Sequence, residues 1–186
     1  MKRLLLCAAA AALMSACGSM PTGEAAMVAE AAMDQPAPAA MDFVRMAGAS
    51  DLYEIQSSQL VMQTTRDSGL RDFAQMMIDH HTMTTATVME AARAAGLTPP
   101  PPALDASKTE MIRQLQAAQG MARDTLYKQQ QVQAHREALT LHTSYARNGD
   151  TAQLKTAAGT AVPIVSRHYN EIVGMQNGSA GGHAGH

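Results

Sequence analysis

Seven histidines are the residues of this 186-residue chain most able to do chemistry. His80, His81, His135, His142 and His168 fall in helical sequence, and His183 and His186 fall in a glycine-rich tail. His81, His135 and His168 lie on the apolar stripes of three different predicted helices. A buried imidazole needs a partner for each ring nitrogen. Three of them pointing into one core can satisfy that need by sharing a cation. Glu54 lies on a face with Ala47, Ser58 and Val61, where small neighbours leave a carboxylate room to reach inward. A His3Glu set formed by Glu54, His81, His135 and His168 suits zinc, iron or copper. Ring nitrogens more than about 8 Å apart would exclude one shared ion, because metal–nitrogen bonds are only about 2 Å long. The competing reading is a hydrogen-bonded core network held by backbone carbonyls, tyrosines or carboxylates, with Tyr127, Tyr145, Tyr169, Asp79 and Gln131 as available partners.

A second candidate set is Met76, His80 and Met83, on one helical face at i, i+4 and i+7, with Met77 adjacent. Thioether and imidazole together favour Cu(I). Methionine is also a flexible core filler, and the chain has 15. Di-iron chemistry of the bundle type needs Glu-x-x-His on two helices. Here Glu54, Glu90, Glu110, Glu137 and Glu171 are followed three residues later by Ser57, Arg93, Arg113, Thr140 and Gly174. The sequence also has no Gly-x-Ser-x-Gly, no reactive cysteine and no Gly-rich phosphate loop. The expectation is therefore a binding role without catalysis.

The elements that must position these side chains are helices. Leu70, Phe73, Ala74, Met77, Ile78, His81, Val88 and Ala92 form one stripe. Val132, His135, Leu139, His142 and Ala146 form another, and Leu154, Ala158, Ala161, Val165, His168, Ile172 and Met175 a third. Such spacing buries one face per helix. The predicted helices begin near Asp42, near Asp67 or Ser68, at a Ser107-x-x-Glu110 capping box, near Met121, and after Asp150 with Gln153. Gly96 suits a helix-terminating C′ position, and Pro99–Pro102 forms a stiff crossover. Pro163 should bend the last helix near Thr160. The fold expected is all-α, an antiparallel four-helix bundle with one short extra helix. Trp is absent, so Ala, Met and Leu are expected to build the core.

The N-terminus carries a different signal. Met1-Lys2-Arg3 is followed by an uncharged apolar run from Leu4 to Leu13, then Leu13-Met14-Ser15-Ala16-Cys17. That order predicts a lipoprotein signal at 1–16, too short to span a bilayer, with Cys17 as the lipidated residue. Gly18 rather than Asp after the cysteine favours the outer membrane, facing the periplasm. Residues 17–40 read as a flexible tether, 41–176 as the folded domain and 177–186 as a disordered tail. Formal net charge is −2; removing Lys2 and Arg3 leaves 12 Lys+Arg against 16 Asp+Glu, or −4. No basic stripe suggests nucleic acid, and the membrane partner is reached through lipid alone.

Three stretches then resemble a known family. They are Phe73-Ala74-x-x-Met77-Ile78-x-His80-His81-Thr82, Tyr127-x-x-x-Gln131-Val132-x-x-His135-x-x-Ala138, and Leu154-Lys155-x-x-Ala158-x-x-x-Val162-Pro163-x-x-x-x-His168. The chain from about Phe43 to Ile172 is similar to domain-of-unknown-function family 4142, exported ferritin-like bacterial proteins, and Glu54 matches that family's acidic residue in the first helix. The resemblance implies a ferritin-like fold and a place in the cell envelope, and names no reaction. That family usually has Asp-His where this chain has His80-His81, which moves the donor set toward nitrogen. The His-His pair also resembles exported copper-associated helical proteins, making a periplasmic copper scavenger the alternative function beside a structural or stress-related envelope protein.

Overall fold

The computed structural model describes residues 23–181. Cys17, the signal segment, His183 and His186 lie outside the described residues. Six helices and no strand occur among the described residues: α1 Glu24–Ala32, α2 Ala40–Met62, α3 Ser68–Ala94, α4 Ala106–Ala117, α5 Gly120–Asn148 and α6 Ala152–Gly181. Consecutive helices α2 and α3 pack along each other, as do α5 and α6. The two pairs then meet through α2 against α5 and α3 against α6, and the short α4 crosses over α2 and α5. None of these helices is long and apolar enough to cross a membrane.

Local chemistry sets the helix ends. Asp67 caps α3 by accepting from the Leu70 amide at 3.1 Å, which satisfies one of the orphan donors of the first turn. At the other end Gly96 takes φ 78°. Its amide bonds the Arg93 carbonyl at 2.9 Å and the Leu97 amide bonds Ala92 at 3.0 Å. That is the paired closure a C′ glycine permits. The Ser107-x-x-Glu110 box is not used. Asp105 caps α4 through the Lys108 amide at 2.7 Å, while Glu110 pairs with Arg113. Asp150, expected to cap α6, instead accepts from the Tyr145 hydroxyl and the Ala40 amide. α6 remains helical through Pro163, which is solvent-exposed.

Two segments differ from the sequence expectation. Helix α1 lies inside the stretch read as a tether. It buries Ala25 and Ala32 and packs on α5 and α6, with Glu24 paired to Arg136 and Asn148 holding the carbonyls of Met33 and Gln35. An alanine face carries little hydrophobic signal, yet it fits closely into a groove between two helices. α6 also runs on to Gly181, because glycine weakens a helix without forbidding it.

The core also differs in kind. All four tyrosines and both phenylalanines are buried, beside the Ala, Met and Leu that were expected. Each phenol finds a partner: Tyr53 with Gln130, Tyr127 with Ser58, Tyr145 with Asp150 and Tyr169 with Arg136. Burying the rings keeps their apolar area from water while these contacts satisfy the hydroxyls.

Tyr145 stacks on Phe43 with centroids 3.9 Å apart and is pinned by its hydroxyl to Asp150 at 2.8 Å. A Cβ at Gly149 would stand 2.6 Å from the Tyr145 ring and carbonyl oxygen. Gly149→Ala should therefore destabilise the protein by about 1–3 kcal/mol through overpacking, measured as a lower urea midpoint. An unchanged midpoint would mean that Tyr145 is free to move.

Candidate metal centre

Helices α3, α5 and α6 each deliver one histidine to the same buried point. His81, His135 and His168 are 0–1 % exposed. Their ring centroids lie 5.4–5.7 Å apart, and one ligand nitrogen from each lies within 4.8 Å of the others. This is well inside the distance at which a single ion is geometrically excluded. The apolar stripes explain the convergence. Each histidine replaces a core residue at its position, so packing the three stripes together packs the three imidazoles together.

Each ring is held from behind by a different group. His81 Nδ1 meets Asp51 Oδ1 at 2.7 Å, and the other Asp51 oxygen accepts from the hydroxyls of Thr84 and Thr85. His135 Nδ1 donates to the Gln131 carbonyl at 2.9 Å. His168 Nε2 meets His80 Nδ1 at 2.7 Å, with the two rings stacked at 8°. Arg167 also points a guanidinium nitrogen at His80 Nδ1, at 3.5 Å. That nitrogen is therefore the acceptor, and His168 donates to it. The opposite nitrogens, His81 Nε2, His135 Nε2 and His168 Nδ1, are buried and have no hydrogen-bond partner.

Burial disfavours charge on these rings. It pushes His135 down to about 3, helped by the positive character of His81, and pushes His168 far below the usual histidine range. Burial acts the same way on His81, but the Asp51 hydrogen bond and the charges of Asp51 and Glu54 outweigh it and raise that ring's pKa. Glu54 is 1 % exposed and neither of its oxygens has a hydrogen-bond partner. Burial raises it to about 7, against the opposing pull of His81 and Gln131. Its Oε1 lies 3.8 Å from His135 Nδ1, so Glu54 flanks the triad and is not a member of the close group.

Two partners of the kinds a hydrogen-bond network would use, the Asp51 carboxylate and the Gln131 backbone carbonyl, do hold triad rings, each on one nitrogen, while the tyrosines and Asp79 are employed elsewhere. Tyr127, Tyr145 and Tyr169 bond other groups, and Asp79 accepts from Gln75. Of the partners named from the sequence only the Gln131 carbonyl serves a triad histidine. The Met76, His80, Met83 set is spread over different surroundings: Met76 packs on a core cluster, His80 is engaged with His168, and Met83 is 56 % exposed. Asp51 escaped sequence reasoning as a histidine partner. The available signal was its position three residues before Glu54 on α2, together with the Thr84-Thr85 pair one turn after His81.

The helical domain closes around three converging imidazoles that could hold a metal ion. The domain of unknown function DUF4142 matches residues 25–175, and the chain belongs to that family. The match takes in helix α1 as well as the three histidine-bearing helices. No curated protein and no solved structure matches the chain.

His142, two turns beyond His135 on α5, is buried against Phe43 with an unpartnered Nδ1. Burial lowers its pKa to about 4. The unfolded chain takes up a proton on this residue below about pH 6.5, while the folded protein resists until about pH 4. His142 therefore contributes stability above pH 6.5 that is lost as pH falls toward 4, a change of about 3 kcal/mol. In the metal-free protein, His142→Leu should flatten the fall of the urea midpoint over that window. Parallel curves for the two proteins would show that His142 is not held neutral.

Proposed function

We propose that this protein is a lipid-anchored cell-envelope protein that binds one transition-metal ion in a ferritin-like four-helix bundle, without catalysis. The carrying observation is twofold: the three histidines bring one ligand nitrogen each within 4.8 Å of one another, and each ring keeps one buried nitrogen with no hydrogen-bond partner. Unsatisfied buried polar atoms are rare because each one carries a desolvation penalty. A cation in front of all three removes that penalty at once. For His81 it takes the place of a proton.

The groups behind the rings support the same reading. Metal-binding histidines characteristically donate their second N–H to a carboxylate or carbonyl. Asp51 and the Gln131 carbonyl are the acceptors here for His81 and His135, and His80 Nδ1 accepts in the same way from His168. An imidazole set of this kind suits zinc, copper or iron. Glu54 is the candidate fourth ligand, reaching the ion directly or through a water. The bundle reading rests on the pairing of α2–α3 with α5–α6. The anchor reading rests on the Leu13-to-Cys17 sequence and places the domain at the periplasmic face, preferably of the outer membrane.

Elemental analysis of the exported chain, with His183 and His186 replaced by Ala to remove adventitious ligands, tests the site. Near-stoichiometric zinc, copper or iron is expected, and its loss in a His81→Ala, His135→Ala double variant. Added metal should raise the thermal midpoint of the parent and not of the double variant. Asp51→Asn should weaken affinity by roughly 10–100-fold. If neither protein holds metal after incubation with each ion, the metal reading fails.

Cys17→Ala tests the anchor separately. The variant should no longer incorporate labelled fatty acid and should leave the membrane fraction. Continued labelling would place the lipid elsewhere.

A further inference from the structure

Away from the triad, the surface carries a selective pattern of its own. Five large apolar side chains are exposed among the described residues, and all five are methionine: Met27, Met33, Met46, Met83 and Met121, at 42–86 % exposure. No leucine, isoleucine, valine, phenylalanine or tyrosine among the described residues is exposed. We infer that these five thioethers form an oxidant-quenching surface. They take up two-electron oxidants of the hypohalous-acid or peroxide class as methionine sulfoxide, and so spare the core. The inference stands apart from the metal reading and does not depend on it.

Ordinary spill-over of apolar residues does not produce this selection. Isolated apolar side chains are common on protein surfaces, but spill-over would place leucine among them. Helix propensity does not choose between the two, because Leu and Met are both strong helix formers. What methionine adds is a soft, polarisable sulfur. An exposed sulfur can ligate a metal, dock a partner or take up oxidant. A metal site needs ligands that converge, and a docking face needs contiguous apolar area. The five are instead spread over α1 and its C-cap, α2, α3 and the first turn of α5, and none packs in a hydrophobic cluster. Oxidation requires only that each sulfur meets solvent by itself.

The remaining sulfurs fit the same division of labour. No cysteine lies among the described residues, so the thioethers are the most readily oxidised sulfurs there. Met62, Met76, Met89 and Met175 pack against the core clusters, and Met77 and Met111 are buried in them. A sulfoxide is polar, so oxidation at those positions disrupts packing. At the five exposed positions it places a polar group in water. With hypochlorous acid, sulfur gives two electrons to chlorine and gains one oxygen atom, chloride leaves and a proton is released. With hydrogen peroxide, the O–O bond breaks, one oxygen goes to sulfur and water leaves. Sulfoxide reductases with a thiol reductant reverse the change, so the surface is reusable.

The test titrates hypochlorous acid into the exported full chain, with any free thiol capped by N-ethylmaleimide. Peptide mass mapping locates the added oxygen, and the urea midpoint reports the fold. Five molar equivalents, one for each exposed methionine, should add single oxygens at those five sites and leave the midpoint unchanged. Methionine sulfoxide reductases with dithiothreitol should remove them. A variant carrying Met27→Leu, Met33→Leu, Met46→Leu, Met83→Leu and Met121→Leu should start at the parent midpoint. It should then lose stability over the same five equivalents, as oxidant reaches Met62, Met76, Met89 and Met175. The proposal is overturned if oxygen is added to the parent without regard to exposure, or if the parent midpoint falls as the five are oxidised. It is overturned equally if the variant holds its midpoint as long as the parent does. Should the variant not fold, the mapping and midpoint of the parent decide alone.

Discussion

Three imidazoles brought together in a buried interior form the constraint on which the rest of this structure depends. Each ring has given one nitrogen to a fixed partner behind it, so the other has nowhere to turn but inward. Rotating a ring to relieve that nitrogen would break the contact at its back. Such breaks are expensive: a charge-assisted bond for His81, a backbone carbonyl for His135 and a stacked ring for His168. The inward geometry is thus enforced by the supports, in the way that outer groups orient the ligands of metal sites generally.

Those supports are rigid because they come from packed helices. α2 supplies Asp51 and Glu54, α3 supplies His80 and His81, α5 supplies His135, and α6 supplies His168. The tyrosines tie these helices together at other levels. Tyr127 on α5 reaches Ser58 on α2, and Tyr53 on α2 reaches Gln130 on α5. Tyr127 also lies edge-on to Phe73, which in turn lies beside His135. A shift of α5 against α2 would disturb the buried phenol contacts and the triad together.

Much of this was legible in the sequence, for one physical reason. A helix with a single apolar stripe declares which residues face inward, so a histidine on that stripe declares itself buried. His81, His135 and His168 were found in this way, and their convergence followed from packing the stripes. Asp51 was harder, because α2 is rich in small and polar residues and its inward face is poorly marked. Helix α1 was hidden for a related reason: its contact face is alanine, which packs well but contrasts little with a linker. His80 shows a further limit. Its neighbour His81 carries the stripe, and nothing in the spacing tells that His80 would lie flat against a ring 88 positions away.

Charge carries the same conclusion one step further. Asp51 and Glu54 are both buried, beside rings that burial holds neutral at His135 and His168. Two buried carboxylates without compensation are strongly unfavourable. Asp51 is paired with His81, but Glu54 has no hydrogen-bond donor on either oxygen, and burial drives it toward its protonated form. On the metal reading proposed above, a divalent ion among the three nitrogens would balance both carboxylates at once, with the histidines neutral and acting only as donors. A monovalent ion would leave one negative charge uncancelled in the core. On that reading the carboxylates favour a dication and the imidazoles a transition metal. A bound ion would then account for an acid on α2 at a depth where an apolar residue would otherwise pack.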